Sequence, residues 1–279
     1  MSPSPGSVTQ EEKAQRFRAL HERDGAFIIP NPFDVGTARL LAHLGFEALA
    51  TTSAGYAFTL GYKDGGLTRE QALAGARAIA TATDLPVSAD LEHGFGDAPE
   101  AAAEAIRLAA AAEVVGGSIE DATGRADSPI YEIEHAAERV RAATEAVRAL
   151  PFPFTLTARA ENYLHGRSDI HDTIKRLQAF EAAGADVLYA PGLYDLATIK
   201  TVVSAIKTIV ANASDSVGVA SVQIQLDGMN LGNAMSSPPY SLAWDTRTAS
   251  NSCHQLTAIA RNSAGNTGTT SIFVQVSNP

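Results

Sequence analysis

Between residues 26 and 207 a short apolar run followed by a longer stretch of helical apolar spacing recurs six times in succession. The runs are 26–30, 47–52, 86–89, 114–120, 154–159 and 186–190. The helical stretches behind them are 35–44, 68–83, 98–113, 130–150, 169–183 and 194–207, and one more, Gln10–Glu22, precedes the series. A strand buried on both faces reads as a continuous apolar run, and parallel strands need a crossover that is usually a helix. Six βα units therefore predict a parallel sheet with helices outside it. Short strands rich in small residues favour an incomplete TIM-type (β/α) barrel over an open doubly wound sheet. No G-x-G-x-x-G opens a helix after the first run, which weighs against a dinucleotide fold. Local signals agree with the helices: Asp34 stands where an N-cap is needed, and Thr68 and Gln71 have the spacing of a capping box.

The alternation stops at residue 208. Beyond it there is no Lys and no Glu, only Asp215, Asp227 and Asp245 against Arg247 and Arg261, and asparagine rises from two residues to seven. Such a shift marks a boundary between differently built segments, 1–207 and 208–279. In the second segment the apolar period becomes two, over 219–228, 240–244, 254–260 and 270–276, which predicts a small all-β domain.

The net charge of -10 argues against nucleic acid or an anionic membrane surface as partner. A single cysteine, Cys253, excludes an internal disulfide and a thiolate metal cluster. No run approaches the roughly 20 apolar residues of a membrane span, and the N-terminus has no apolar core of signal-peptide length, so the cytoplasm is the expected compartment.

The densest chemistry lies in P-V-S-A-D-L-E-H-G-F-G from Pro86. Side chains two apart on an extended backbone point the same way, so Asp90 and Glu92 would project into one space at a strand end. Magnesium takes oxygen ligands, often one or two carboxylates with several waters, and the pair suits that habit. The competing reading is a loop with helix-capping acids. Context favours the site, because Ser53, Glu120 with Asp121, and Arg159 with Glu161 fall at the ends of the neighbouring runs, where a βα barrel carries its chemistry. His93 reads as a proton carrier or a plain loop residue, Tyr131 and Tyr163 as lid or packing residues, and Trp244 as core.

Seven pieces lie in order across most of the span of residues 20–206: N-P-F-D-V-G-T-A-R-L at Asn31, T-T-S-A-G at Thr51, D-G-G-L-T-R-E at Asp64, A-D-L-E-H-G-F-G at Ala89, I-E-D at Ile119, T-A-R at Thr157 and L-Y-A-P-G-L at Leu188. With them the segment resembles the isocitrate lyase and phosphoenolpyruvate mutase superfamily. The resemblance implies a Mg²⁺ (or Mn²⁺) ion faced most directly by Asp90, with Glu92 and Glu120 holding its waters, and Asp64 nearby as a catalytic residue together with Arg159. It implies that Ser53 and the Ala54 amide bind a substrate carboxylate and that Arg159 offsets its charge. The implied chemistry is lyase-like, carbon–carbon cleavage or decarboxylation of a small 2-oxo acid through an enolate. The chain departs from the pattern at three places. Isocitrate-type lyases carry K-K-C-G or K-R-C-G after the fourth strand, where D-A-T-G-R stands at Asp121. They place a Glu after the sixth strand, where Pro191-Gly192 stands. The seventh and eighth βα units are absent.

The tail, through A-S-D-S-V-G-V-A-S-V-Q-I-Q-L-D-G, P-Y-S-L-A-W-D-T and A-R-N-S-A-G-N-T, resembles a bacterial immunoglobulin-like module lacking its first strand. That resemblance implies a secreted or surface protein, against the cytoplasmic reading, and suggests a fusion of two segments. The alternatives to a lyase are therefore a binding or adhesion protein acting through the tail, and a chimera without function. Six strands leave open edges, so self-association and weak stability are expected.

Overall fold

The structure is a computed structural model that describes residues 8–276 apart from 24, 206–207, 212, 239 and 245. The chain forms two compact units, Met1–Gly192 and Leu193–Pro279.

The first unit opens with α1 (Gln10–Glu22), started by a capping box in which Thr9 accepts from the Glu12 N–H and Glu12 reaches back to the Thr9 N–H. Its apolar face, Ala14, Phe17 and Leu20, packs on Ala48 and Val115, which precede two strands, so α1 closes the N-terminal end of the sheet. Gly116 permits this contact: a Cβ there would lie 2.8 Å from the Phe17 ring. Lys13, on the same helix, donates to the carbonyls of Ala80 and Thr83 at the end of a later helix.

The remaining elements are α2 (Val35–His43), β1 (Leu49–Ala50), α3 (Ser53–Thr59), α4 (Arg69–Ala80), β2 (Val87–Asp90), α5 (Pro99–Ala111), β3 (Gly116–Glu120), α6 (Ile133–Arg148), β4 (Thr155–Arg159), α7 (Ile170–Ala182) and β5 (Val187–Tyr189). The sheet order is β1-β2-β3-β4-β5, every pair parallel. A doubly wound sheet reverses its strand order at a switch point. This one never reverses, so it winds one way and curls as part of a TIM-type barrel. Asp34 and Thr68 cap α2 and α4 as expected.

Two local expectations are corrected. Five strands form, because 26–30 does not join the ladder as a sixth. Pro30 and Pro32 have no N–H to donate, the Ala50 N–H bonds the Pro30 carbonyl at 3.1 Å, and the Asn31 side-chain amide bonds the Ala50 carbonyl at 3.1 Å. Residues 53–59, which follow the run at 47–52 and lie outside every helical stretch expected from the sequence, are the helix α3, capped by Thr52 through the Gly55 N–H.

The second unit holds α8 (Leu196–Ala205), a two-stranded antiparallel pair of β6 (Thr208–Ala211) with β9 (Tyr240–Ala243), and a four-stranded antiparallel sheet. The sheet consists of β7 (Val219–Leu226), β8 (Met229–Met235), β10 (Cys253–Asn262) and β11 (Thr267–Gln275) in the order β11-β10-β7-β8. Val222, Ile224, Tyr240, Trp244, Leu256 and Val276 form one core, which places Trp244 where the sequence put it. β8 was not anticipated, since M-N-L-G-N-A-M lacks a clean alternation. Among the described residues no helix is long and apolar enough to cross a membrane.

Candidate active site at the strand ends

Register brings the site together. In the parallel ladder Glu120 lies directly beside Arg159, and Asp90 lies beside Ser118, two residues before Glu120 and on the same side of the pleat. Three strand ends thus deliver Asp90, Glu120 and Arg159 to one place. Arg159 Nη1 stands 3.2 Å from Asp90 Oδ1, and its Nη2 3.6 Å from Glu120 Oε2 and 2.7 Å from Glu161 Oε1. The Arg159 guanidinium also lies 5.5 Å from the centre of the Tyr189 ring.

Each group is held from behind. The Asp90 N–H donates to Thr51 Oγ1, and Asp90 Oδ2 accepts from the Ser53 N–H and hydroxyl at 3.2 and 2.8 Å. Ser53 can do this because α3 begins there, turning its N–H and side chain toward β2. Glu92 follows with φ 48°, a left-handed conformation that non-glycine residues seldom adopt. Its N–H donates to Asp90 Oδ1 at 3.3 Å, and its Oε1 is buried without a partner.

Ser53, Asp64, Glu92, Glu120, Arg159 and Glu161 line one cavity of about 910 Å³. Six of the seven residues expected at the site thus meet there or bond into it directly: Ser53, Asp64, Asp90, Glu92, Glu120 and Arg159. Asp64 reaches its edge on an exposed loop, and Ala54, the residue after Ser53 in α3, does not line it. Glu161 belongs to the cluster more closely than the sequence indicated, because it takes both Nε and Nη2 of Arg159. A second cavity of about 530 Å³ runs along the inner face of the sheet past Thr51, Ser88, Ser118 and Thr157 to Asp90 and Arg159.

The charge is out of balance. Asp90, Glu92, Glu120 and Glu161 surround a single guanidinium. Burial, and then the neighbouring Asp90 and Asp64, push Glu92 up to about 7. Burial pushes Glu120 up to about 8 against the pull of Arg159. Burial alone would make Arg159 easier to deprotonate, but Asp90, Glu120 and Glu161 outweigh it and hold the guanidinium more firmly charged than usual. Burial lowers His93 at the cavity wall, with Arg139 acting in the same direction.

Whether these residues suit a divalent cation follows from the same facts. Among the described residues no three His, Cys, Asp or Glu side chains are arranged to hold a metal ion. Asp90, Glu92 and Glu120 therefore do not form a closed cage, since Arg159 stands between Asp90 and Glu120. The donor set nevertheless fits a hard cation: it is all oxygen, carries excess negative charge, and leaves Glu92 Oε1 buried and unpartnered.

A second polar constellation, in the C-terminal unit, has the distances of a hydrolytic triad. His254 Nδ1 is 2.5 Å from Asp227 Oδ2, and Nε2 is 3.0 Å from Ser252 Oγ. The Ser250 carbonyl, 2.9 Å from Nε2, requires a proton on that nitrogen, so the ring donates on both sides and is a structural imidazolium.

Residues 17–228 match the family model of phosphoenolpyruvate phosphomutase, beyond the limit at 206 to which the sequence pieces reach. A candidate lyase/mutase from Burkholderia cenocepacia J2315 is 65% identical and superposes with a TM-score of 0.68, covering 69% of this chain and 69% of that one. Oxaloacetate decarboxylase from Ectopseudomonas mendocina (strain ymp) is 30% identical over 207 residues, 72% of this chain and 69% of the relative. A phosphonopyruvate hydrolase, in a complex with oxalate and Mg²⁺, is 25% identical with a TM-score of 0.60, covering 66% of this chain and 63% of that one. The chain spans 64% of the length of the uncharacterized Mycobacterium tuberculosis protein to which it is 33% identical. Matched over this length and built on the same one-way parallel sheet, the chain belongs to the phosphoenolpyruvate mutase/isocitrate lyase superfamily.

Proposed function

We propose that the chain is a carbon–carbon lyase of this superfamily that acts on a small 2-oxo acid, with oxaloacetate as the first substrate to try. The observation that carries the reading is Arg159 fixed among Asp90, Glu120 and Glu161 at adjacent strand ends, facing a cavity large enough for a dicarboxylate. The names of the relatives point the same way: one decarboxylates oxaloacetate, and another binds oxalate, which has the shape of the enolate of a 2-oxo acid.

In this reading Asp90 would face a Mg²⁺ or Mn²⁺ ion, and Glu92 and Glu120 would hold its waters. When bound, the ion supplies Lewis-acid stabilisation of charge on the oxo and carboxylate oxygens. Arg159, kept charged by its three carboxylate neighbours, offsets the charge that develops as the carbon–carbon bond breaks. Ser53 and the Ala54 N–H at the start of α3 take the substrate carboxylate in this reading, for which Ser53 exchanges the bonds that its hydroxyl and N–H make to Asp90 Oδ2. Glu92 and Glu120, raised to about 7 and about 8, can each keep a proton near neutrality and release it when positive charge arrives. Asp64 limits the cavity on its open side.

The tail belongs to the proposal only as an immunoglobulin-like module, a reading supported by the two antiparallel groups of strands around the core of Trp244. Self-association, with small carboxylates rather than nucleic acid or membrane as ligands, completes the proposal.

The test is Mg²⁺-dependent release of CO₂ from oxaloacetate, with chelator and Asp90→Ala as controls and isocitrate as comparison. Turnover of oxaloacetate that is lost in both controls is expected. Isocitrate should yield no glyoxylate, because the loop from Asp121 has no cysteine acid. Glyoxylate release at about 1 per second or faster would overturn the assignment.

A further inference from the structure

Asp121 stands next to Glu120 but lines neither cavity and is only 1% exposed at its side chain. It ties three elements together. Oδ1 accepts the Glu161 N–H at 2.8 Å, Oδ2 accepts Arg176 Nη1 at 3.0 Å, and its backbone N–H donates to the Arg159 carbonyl at 3.1 Å. Arg176, on α7 and 5% exposed, also donates to the Tyr131 carbonyl at 2.7 Å and to Asp172 Oδ2 at 2.7 Å. Glu161 in turn receives Nε and Nη2 of Arg159 on one oxygen, at 2.8 and 2.7 Å. A continuous path of contacts thus runs from the outer helix to the guanidinium at the centre of the site.

We propose that Asp121 and Arg176 are positioning residues, which fix Glu161 and through it the direction of Arg159 without touching substrate. A buried ion pair gives up most of its Coulomb gain to desolvation, so net stability is a poor account of this one. Direction is the better account. Arg159 has five N–H donors and carboxylates on several sides, and without a fixed Glu161 it could turn toward Asp90 or Glu120 and leave the orientation a substrate needs.

The kinetic arm of the test rests on the proposed lyase activity; the spectroscopic arm does not. The Arg159 Nε–H resonance in ¹H–¹⁵N spectra of the full chain, assigned by its loss in Arg159→Lys, reports the bond to Glu161. In Asp121→Ala its exchange with water should quicken about tenfold or more, with the helical circular dichroism unchanged. Asp121→Asn keeps an acceptor for the Glu161 N–H but turns an amide toward Arg176, so it should fall between wild type and Asp121→Ala. Adding Arg176→Gln to Asp121→Asn gives a neutral pair and should bring exchange back toward wild type, a coupling that independent sites would not show. With oxaloacetate and Mg²⁺, kcat should fall about tenfold in Asp121→Ala while KM changes less than about twofold. An unchanged Arg159 exchange rate in folded Asp121→Ala overturns the positioning role whatever the activity. If Asp121→Ala does not fold, wild-type exchange in both Asp121→Asn and Arg176→Gln does the same. Faster exchange in the variants of a protein inactive on oxaloacetate supports the positioning role and counts against the activity.

Discussion

Replacing Arg159 by methionine removes the guanidinium that contacts Asp90, Glu120 and Glu161 and keeps most of the side-chain volume. It breaks contacts to Asp90, Glu120 and Glu161 at 3.2, 3.6 and 2.7 Å, all on side chains less than one-fifth exposed. Removing one partner of such a buried pair costs about 3–5 kcal/mol. That cost should depend on pH in a fixed direction. Glu92 and Glu120 already sit at about 7 and about 8, so below those values the folded state binds more protons than the unfolded chain, and stability falls as pH rises through them. Without Arg159, which lowers both, the two acids move higher still and the fall steepens. One extra bound proton changes stability by about 1.4 kcal/mol per pH unit, and because wild type itself takes up most of these protons by pH 6, going from pH 8 to pH 6 should recover about 1–2 kcal/mol of the loss. Urea unfolding followed at 222 nm reports chiefly on the first unit, which holds seven of the eight α-helices among the described residues. A variant as stable as wild type at pH 8, or one whose deficit grows toward pH 6, would refute the electrostatic account.

In the C-terminal unit, the bond to Asp227 raises His254 and lowers Asp227. The His254 contribution is fully present below its ordinary value and fades as pH rises through the raised one, whereas the Asp227 contribution fades as pH falls. The clamp should be strongest between about pH 4 and 6.5. Fluorescence of Trp244, the only tryptophan, should show stability declining from pH 6 to 8 in wild type and a flat profile in His254→Gln. Gly116→Ala would put a Cβ 2.8 Å from the Phe17 ring and 3.1 Å from Ser88 Oγ, and should cost about 1–3 kcal/mol in the same 222 nm assay. A neutral result there would mean that α1 is free to shift.

The helices were legible in the sequence because their signals are local. Asp34, Thr68 and Gln71 announce two starts, and a 3.6-residue apolar period runs through the rest. Failures came where that local signal is weak or another residue overrides it. The apolar run at 26–30 looks like a strand, yet Pro30 and the Pro32 just beyond it have no N–H to give a ladder. The short S-A-G-Y-A-F-T of α3 has no room to show a period and contains a glycine, and β8 mixes Asn, Gly and Met. Asp90, Glu92, Glu120 and Arg159 were found because each lies at or just beyond the end of an apolar run. Glu161 and Asp121 read as strand-end acids, but nothing in their spacing shows that one holds Arg159 and the other holds the first.

The sequence by itself determined the kinds of groups present and the order of the elements: strand-end carboxylates, one arginine among them, and a βα series that gives way to an alternating tail. Side-chain chemistry and backbone preference act over a few residues, so both can be read along the chain. Only the tertiary structure decided which groups meet. Asp90 and Arg159 are 69 positions apart, and their contact exists because β2, β3 and β4 pair in one register. Charge and burial follow from that meeting. Coulomb interaction depends on distance and on how much water is excluded, so the high values of Glu92 and Glu120 and the firm charge of Arg159 arise only once the strands have brought them together.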